Sequence, residues 1–298
     1  MTGETERATP EPAQLPVAPG SVRTAALAEL GRLGDLVQKL TLEDWPKPSA
    51  VSGWSIGDVV AHLNLALAVS GRLINAVTAG KGSGRVWKTI DQLGQKVAPV
   101  AGPAFNAINS ALPRAIDRAL SPEVIKGQFA TSSRTFRDTL TRVGSEDYTR
   151  PVYYRGDPWP LSFFLAAMVN ELAIHGWDIA SRLDPQAHLS EDARSVLPWF
   201  FWSGTPFMLR LPKHSEGTIQ ASLSDPSIEM WWSLADQEIK QGVGQTERPD
   251  VTLTGVSGTF VLTLAGRIPA QDALRTTSLQ AEGREELART FLGAWTIL

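Results

Sequence analysis

Residues 161–183 (LSFFLAAMVNELAIHGWDIASRL) are almost wholly apolar but contain one polar stripe. At about 100° per residue, Glu171, His175, Asp178 and Arg182 fall on a single face of a helix. Burying a carboxylate without a partner is costly, so a glutamate in this setting needs a cation or hydrogen-bond donors. The segment therefore predicts a core helix whose ionisable face points at a partner.

Glu171 and His175 lie four residues apart, which brings a carboxylate oxygen and an imidazole nitrogen within reach of one metal ion or one proton. The same spacing occurs by chance on many solvated helix faces, so the pair alone does not specify a metal site. A buried hydrogen bond between the two residues, with no metal, is the alternative. The apolar surroundings strengthen the metal interpretation but leave both open, because hydrogen-bond donors would also satisfy the glutamate.

The composition describes a soluble globular protein with room for two domains. The chain has 298 residues, of which 43% are hydrophobic and 20% charged, and its formal net charge is −3. This charge supplies no broad basic field, so we expect no nucleic-acid partner. The absence of cysteine excludes disulfides, zinc ribbons, iron–sulfur ligation and a protein thiol nucleophile. Any thiol chemistry therefore needs an external sulfur.

The N-terminal residues 1–20 (MTGETERATPEPAQLPVAPG) lack the basic start and apolar core of a signal peptide. They are typical of a short disordered, proline-rich leader. No apolar run approaches the roughly 20 residues that span a bilayer. We therefore expect a cytoplasmic protein with no membrane partner.

The first two-thirds of the chain shows helical periodicity. Residues 21–41 repeat apolar positions at helical spacing, Ser55 can cap a second helix, and a third helix begins at Ser121 and Pro122. Residues 84–118 predict helical pieces with loops and match no motif; apolar side chains there could line a pocket (Trp87, Phe105 and Ile108). The segment 150–160 (RPVYYRGDPWP) predicts a connection into the striped helix.

His62 lies four residues after Asp58 and shares its helix face. One interpretation is a histidine satisfied by Asp58 alone; the other is a metal ligand that Asp58 orients from behind. The second helix by itself favours the first interpretation.

The pattern changes near residue 215, where strands replace helices. Apolar alternation predicts strands at 218–223 and 228–234, with a further short strand at 251–254. Residues 257–265 and 284–296 predict helices on either side of a strand at 277–281, and residues 210–217 (RLPKHSEG) predict a linker. The second part of the chain is therefore predicted to be α+β.

Four segments together resemble one known family: WSIGDVVAHL (54–63), ELAIHGWDIA (171–180), PDVTLTG (249–255) with LAGR (264–267), and EGREELARTFLGAW (282–295). The chain is similar to the mycothiol-dependent maleylpyruvate isomerase family over nearly its whole length after residue 20. The resemblance implies a mainly α DinB-like four-helix bundle over 21–210. It also implies a small α+β domain over 216–298, similar to sterol carrier protein 2.

The resemblance also implies a metal site. Carried over residue by residue, the ligands are His62, Glu171 and His175, which suit zinc or another divalent metal and leave one coordination position open. Asp58 and Asp178 become candidates to orient the ligating imidazoles, their alternative roles being a helix cap and an ion pair with Arg182. His188 and His214 match neither motif and are predicted to lie on the surface.

The function implied by the resemblance is metal-assisted activation of the small thiol mycothiol, which supplies the sulfur that the chain lacks. In the family, the thiolate adds to the double bond of a maleylpyruvate-like substrate, a single bond rotates, and elimination gives the trans isomer; in relatives that are S-transferases the thiol stays attached. The metal site does not separate these reactions. Cofactor-binding residues beyond the ligands are not predicted, because arginines in such settings are more often structural (Arg155, Arg182 and Arg210).

A non-catalytic function is the alternative. The bundle would keep its metal for stability, and the C-terminal domain would hold an apolar ligand or lipid, as sterol carrier folds do. The apolar strands at 219–234 motivate this binding or regulatory hypothesis.

Overall fold

The computed structural model describes residues 14–82, 104–154, 157–235, 238–276 and 278–296, with the backbone alone at 104–110 and 157. Several predictions concern positions outside this range: the leader up to residue 13, the segment 84–103 with Trp87, and Arg155. The side chains of Phe105 and Ile108 also fall outside it.

The first part of the described chain is helical. Its elements, in order, are α1 (Pro19–Lys39), α2 (Ile56–Thr78), α3 (Ala104–Ala119), α4 (Pro122–Thr141), the strands β1 (Pro151–Tyr154) and β2 (Asp157–Pro160), α5 (Leu161–Ala180), α6 (Glu191–Ser203) and the single turn α7 (Thr205–Met208). Helix α2 packs against α3, α4 and α5, and α1 packs against α4 and α5. Apolar stripes at helical spacing fill the space between them, as predicted from the sequence.

Three boundaries differ from the predictions. Helix α1 starts at Pro19 rather than residue 21, since proline is favoured in a first turn whose N–H groups have no partner. Helix α5 ends at Ala180, which leaves Arg182 beyond the helix and exposed. The predicted connection at 150–160 is instead a β-hairpin, because Val152 and Trp159 pair across it and are both buried.

The second part of the described chain is α+β, as predicted. Its elements are β3 (Gly217–Ser224), β4 (Ile228–Ala235), β5 (Glu238–Val243), β6 (Val251–Val256), α8 (Ser257–Leu264), α9 (Ala270–Arg275), β7 (Leu279–Gly283) and α10 (Glu285–Gly293). The strands form a sheet in the order β5-β4-β3-β6-β7, parallel between β3 and β6 and antiparallel elsewhere. The sequence missed β5 (EIKQGV), which is mostly exposed and has only two aliphatic residues, four positions apart, and therefore no apolar alternation.

The two parts share one continuous apolar core. Trp232 of β4 is fully buried and donates its indole N–H to the hydroxyl of Thr205, at 2.9 Å. The predicted linker at 210–217 is anchored at its start, because Leu209 bridges to Trp295 and the Arg210 N–H bonds the Ala294 carbonyl at 2.8 Å. The C-terminal region is therefore fixed against the helices by packing and by hydrogen bonds.

One described helix, α2, is long and apolar enough to cross a membrane by length and composition, which the sequence analysis did not anticipate. In the structure 56% of its most apolar window is buried inside the protein. Its polar residues Asp58 and His62 are buried as well.

Helix α2 begins in a tight environment that can be tested by substitution. A Cβ added at Gly57 would lie 2.3 Å from both Asp117 Oδ1 and Trp45 Nε1, which hydrogen-bond each other at 2.6 Å. We expect Gly57→Ala to lower the free energy of unfolding by about 1–3 kcal/mol, measured by urea denaturation. Gly34→Ala in α1 is the control: nothing lies within 4 Å of its added Cβ, so it should stabilise by up to about 1 kcal/mol. Equal effects would contradict this packing.

Candidate metal centre

The start of α2 sets the position of His62. Ser55 accepts a hydrogen bond from the Asp58 N–H at 3.0 Å, and Asp58 accepts one from the Ser55 N–H at 2.9 Å, which forms a reciprocal capping box. Asp58 thus takes the capping role, one of its two predicted alternatives. Within the described chain no hydrogen bond joins it to His62, which lies one turn further along the helix.

His62 meets the polar stripe of α5 between the two helices. Its Nε2 lies 2.6 Å from Glu171 Oε1, and His175 Nε2 lies 3.8 Å from the same oxygen. One donor atom from each of these three residues lies within 4.8 Å of the others. The structure therefore brings together the three residues that the resemblance implied as ligands.

Asp178 lies behind His175, on the next turn of the same helix. His175 Nδ1 is 2.8 Å from Asp178 Oδ2, so this hydrogen bond leaves Nε2 as the nitrogen that faces Glu171. A carboxylate that holds the far nitrogen of a ligating histidine fixes the tautomer and ring orientation. The hydrogen bond places Asp178 where an orienting carboxylate would lie, and its role behind a metal ligand stays a prediction.

The ion-pair partner of Asp178 is Arg267, and not Arg182 as the alternative held. The guanidinium of Arg267 binds Asp178 through two hydrogen bonds, Nε to Oδ1 at 2.6 Å and Nη2 to Oδ2 at 2.7 Å. Arg267 follows α8 in the C-terminal part of the chain. Arg267 ends the LAGR segment, but its role was not predictable from the sequence, since no local pattern links it to a residue 89 positions earlier.

A second missed feature adjoins His62 on its other side. The Trp54 ring lies 5.4 Å from the His62 ring, and the Arg114 guanidinium carbon lies 5.9 Å from the centre of Trp54. Arg114 belongs to α3, within the segment for which the sequence offered no motif. The Nε of Arg114 is buried and has no hydrogen-bond partner among the residues that the structure describes.

The electrostatics favour a charged cluster. Burial raises the pKa of Glu171, but the neighbouring His62 and His175 outweigh burial and bring the pKa to about 2. Burial lowers the pKa of His175, yet the hydrogen bond to Asp178 and the charge of Glu171 raise it above its ordinary value. Burial also raises the pKa of Asp178, but hydrogen bonds from His175 and Arg267 bring it below its ordinary value.

The donor set fits a divalent metal ion. Two imidazoles and one carboxylate are ligands that zinc accepts, and bonds of about 2.0–2.2 Å place tetrahedral donors roughly 3.3–3.6 Å apart. The 3.8 Å separation of His175 and Glu171 is close to this spacing. The 2.6 Å contact of His62 with Glu171 is a hydrogen bond, and its proton would be lost if a metal bound there, because a ligand imidazole presents a lone pair.

The remaining candidates lie away from this cluster. His188 and His214 are exposed, as predicted. Arg182 and Arg210 are also exposed, and Arg210 donates to the backbone carbonyls of Pro206 and Leu209.

A comparison with family models decides the relationship of the chain. Residues 26–180 match the model described as the mycothiol maleylpyruvate isomerase N-terminal domain, which is more than half of the chain. The chain belongs to the mycothiol-dependent maleylpyruvate isomerase family. This match confirms the resemblance and, with it, the prediction of an enzyme. No curated protein sequence is similar enough to count as a match.

Two solved structures share the fold at low sequence identity. A crystal structure of mycothiol-dependent maleylpyruvate isomerase superimposes with a TM-score of 0.56 and 13% identity, covering 89% of this chain and 93% of that one. A histidine-to-alanine mutant of mycothiol-dependent maleylpyruvate isomerase gives a TM-score of 0.53 and 13% identity, covering 84% and 90%. The likeness therefore extends through both the helical and the α+β parts.

The raised pKa of His175 predicts a pH dependence of the metal-free protein. A raised folded-state pKa contributes stability below the ordinary value of 6.5, and this contribution is lost as the pH rises through the folded-state pKa. We expect the Tm of chelator-treated protein to fall as the pH rises above about 6.5.

The His175→Gln variant has no imidazole at this position, so its Tm should lack the part of the fall with pH that His175 causes. The difference in Tm between the variant and the wild type should therefore shrink as the pH rises. A difference that stays constant from about pH 5 to pH 9 would contradict a charged His175 in the metal-free site.

Proposed function

We propose that this chain is a zinc-dependent enzyme that activates mycothiol for attack on a small electrophile. The reaction is either cis–trans isomerisation of a maleylpyruvate-like substrate or S-transfer of the thiol. The observation that carries the proposal is the convergence of His62, Glu171 and His175 from two helices, with Asp178 fixing the histidine from behind. Three protein ligands with an open position are typical of a catalytic zinc site.

The residues of the chain have separate roles in this proposal. His62 and His175 present ring nitrogens, Glu171 adds one negative charge, and Asp178 holds the Nδ1 proton of His175. When bound, zinc lowers the pKa of a thiol at its open position, which makes the thiolate available near neutral pH. The chain contains no cysteine, so the sulfur comes from the small molecule.

The wider organisation is part of the same proposal. We infer a DinB-like four-helix bundle over residues 21–210 and a sterol-carrier-like domain over 216–298, in a cytoplasmic protein with neither nucleic-acid nor membrane partners. Helices α1 and α2 each pack against α4 and α5, which supports the first inference. The packing of α8 and α10 against the adjacent strands β3 and β6 of the sheet supports the second.

The C-terminal sheet weighs against the non-catalytic alternative. A lipid or apolar ligand would need an open apolar face on strands 219–234. The apolar residues of these strands are instead buried within the protein: Ile219, Met230 and Trp232 are fully covered, and the ring centre of Phe291 in α10 lies 4.8 Å from that of Trp232 with the two rings tilted by 52°. A metal kept only for stability is the remaining form of this alternative.

Cobalt substitution tests whether a thiol reaches the metal. We expect mycothiol to produce an intense sulfur-to-cobalt charge-transfer band in Co²⁺-loaded protein, and glutathione to produce a weaker band or none. A Co²⁺ spectrum that does not respond to mycothiol would contradict thiol activation and leave a structural metal. Mixing protein with excess maleylpyruvate and limiting mycothiol then separates the reactions, since isomerisation returns the thiol and S-transfer consumes it.

Ligand substitution tests the metal site itself. His62→Ala and His175→Ala should each weaken zinc binding more than the roughly 10–100-fold that loss of an outer partner typically costs. His188→Ala, at an exposed histidine, is the matched control and should bind zinc like the wild type. Metal content and affinity are measured by elemental analysis and chelator competition. Unchanged affinity in both ligand variants would contradict the assignment.

A further inference from the structure

We propose that Arg267 is a positioning residue through which the C-terminal part of the chain sets the metal affinity of the helical site. This inference rests on the proposed metal site and adds to it the part played by the α+β region. Arg267 contacts Asp178, and Asp178 contacts His175, so the arginine acts on the ligand through the aspartate.

Asp178 is the least accessible member of the cluster, with no exposed surface, and its carboxylate has two neighbours that satisfy it. Oδ1 accepts from Arg267 Nε alone, whereas Oδ2 accepts from both Arg267 Nη2 and His175 Nδ1. The two hydrogen bonds from the guanidinium fix the orientation of the Asp178 carboxylate. The third hydrogen bond, from His175 Nδ1, fixes the imidazole relative to that carboxylate. The orientation of His175 therefore depends on a residue outside the helical part.

Arg267 is itself held by the end of α8. The Arg267 N–H bonds the Leu262 carbonyl at 2.8 Å and the Gly266 N–H bonds the Thr263 carbonyl at 2.9 Å, the pair of bonds of a Schellman motif. Gly266 has φ of 68°, a conformation that glycine adopts without strain. Arg267 Nη1 also donates to the Ala265 carbonyl, and its side chain is only 15% exposed. The backbone geometry at the end of α8 therefore fixes the position of the Arg267 guanidinium.

These contacts couple the metal affinity of the helical site to the docking of the C-terminal part of the chain. If docking of the C-terminal part holds His175 ready for metal, then metal binding must stabilise that docking by the same factor. Loss of Arg267 should therefore lower metal affinity and also shrink the rise in Tm that zinc produces. A contact that serves only to hold the fold together would lower the Tm of the metal-free protein without changing the metal affinity of folded protein.

The experiment is a double-mutant cycle on metal affinity. Zinc dissociation constants are measured by competition with a chromophoric chelator, well below the Tm, for wild type, Arg267→Met, Asp178→Asn and the double variant. We expect each single substitution to weaken zinc binding about 10–100-fold, the range typical of partners behind a ligand. The double variant should be no weaker than Asp178→Asn alone, because the arginine acts through the aspartate.

Two further variants complete the design. Arg194→Met is the matched control, since Arg194 also pairs across the two parts of the chain, with Asp225, but makes no contact with the ligands. It should leave zinc affinity unchanged. Arg267→Lys should retain part of the affinity, because an ammonium keeps the charge and loses the two-pronged geometry. The visible spectrum of the Co²⁺ forms reports any change in ligand geometry.

The outcomes are distinct from those of the proposed function. If wild-type protein binds no zinc, the metal proposal fails. If wild type and Arg267→Met, both folded, bind zinc equally, the positioning role is overturned while the metal site stands. If Arg267→Met does not fold, the test uses Arg267→Lys and the double variant, in which neither position 178 nor position 267 is charged. Unchanged zinc affinity in both variants overturns the proposal. Weakened zinc affinity in both supports it.

Discussion

A largely buried set of charges constrains the rest of this molecule. The carboxylates of Glu171 and Asp178 and the guanidinium of Arg267 lie among apolar helices, where an unpaired charge is strongly destabilising. Together they leave one negative charge to be balanced. The low pKa of Glu171, beside His62 and His175, and the raised pKa of His175, beside Asp178 and Glu171, both reflect this need for balance. A divalent cation over-compensates by one unit, which favours an anionic ligand beside it.

This demand for balance explains why three separate segments converge. Helix α2 brings His62 on a helix fixed by a side-chain cap, and α5 brings Glu171, His175 and Asp178 at helical spacing. The turn after α8 brings Arg267. Each segment buries its apolar face in a common core, so the polar atoms are held by packing as well as by their own hydrogen bonds. A rigid frame of this kind suits a site whose donor atoms must keep fixed separations.

The sequence predicted the helices and strands whose apolar residues follow a regular local pattern. Apolar residues at helical spacing located α1, α4 and α5, and alternation located β3 and β4, since burial of one face imposes those periods. The hairpin at 151–160 was missed because its strands have four residues each and contain prolines. The joining of His62 to Glu171 spans 109 positions and came from the family resemblance. Arg267 was missed because it lies 89 positions from Asp178 and because one arginine after a helix has no distinctive local pattern.

The position of Arg267 in the C-terminal part of the chain limits how far the helical part can be treated as an independent module. The family model ends at residue 180, so it contains the three candidate ligands and Asp178 but not the cation that neutralises Asp178. A helical domain joined to a different C-terminal partner would keep every ligand and still carry an uncompensated buried carboxylate. We therefore expect this helical part to accept a different C-terminal part only where that part returns a guanidinium to the position of Arg267.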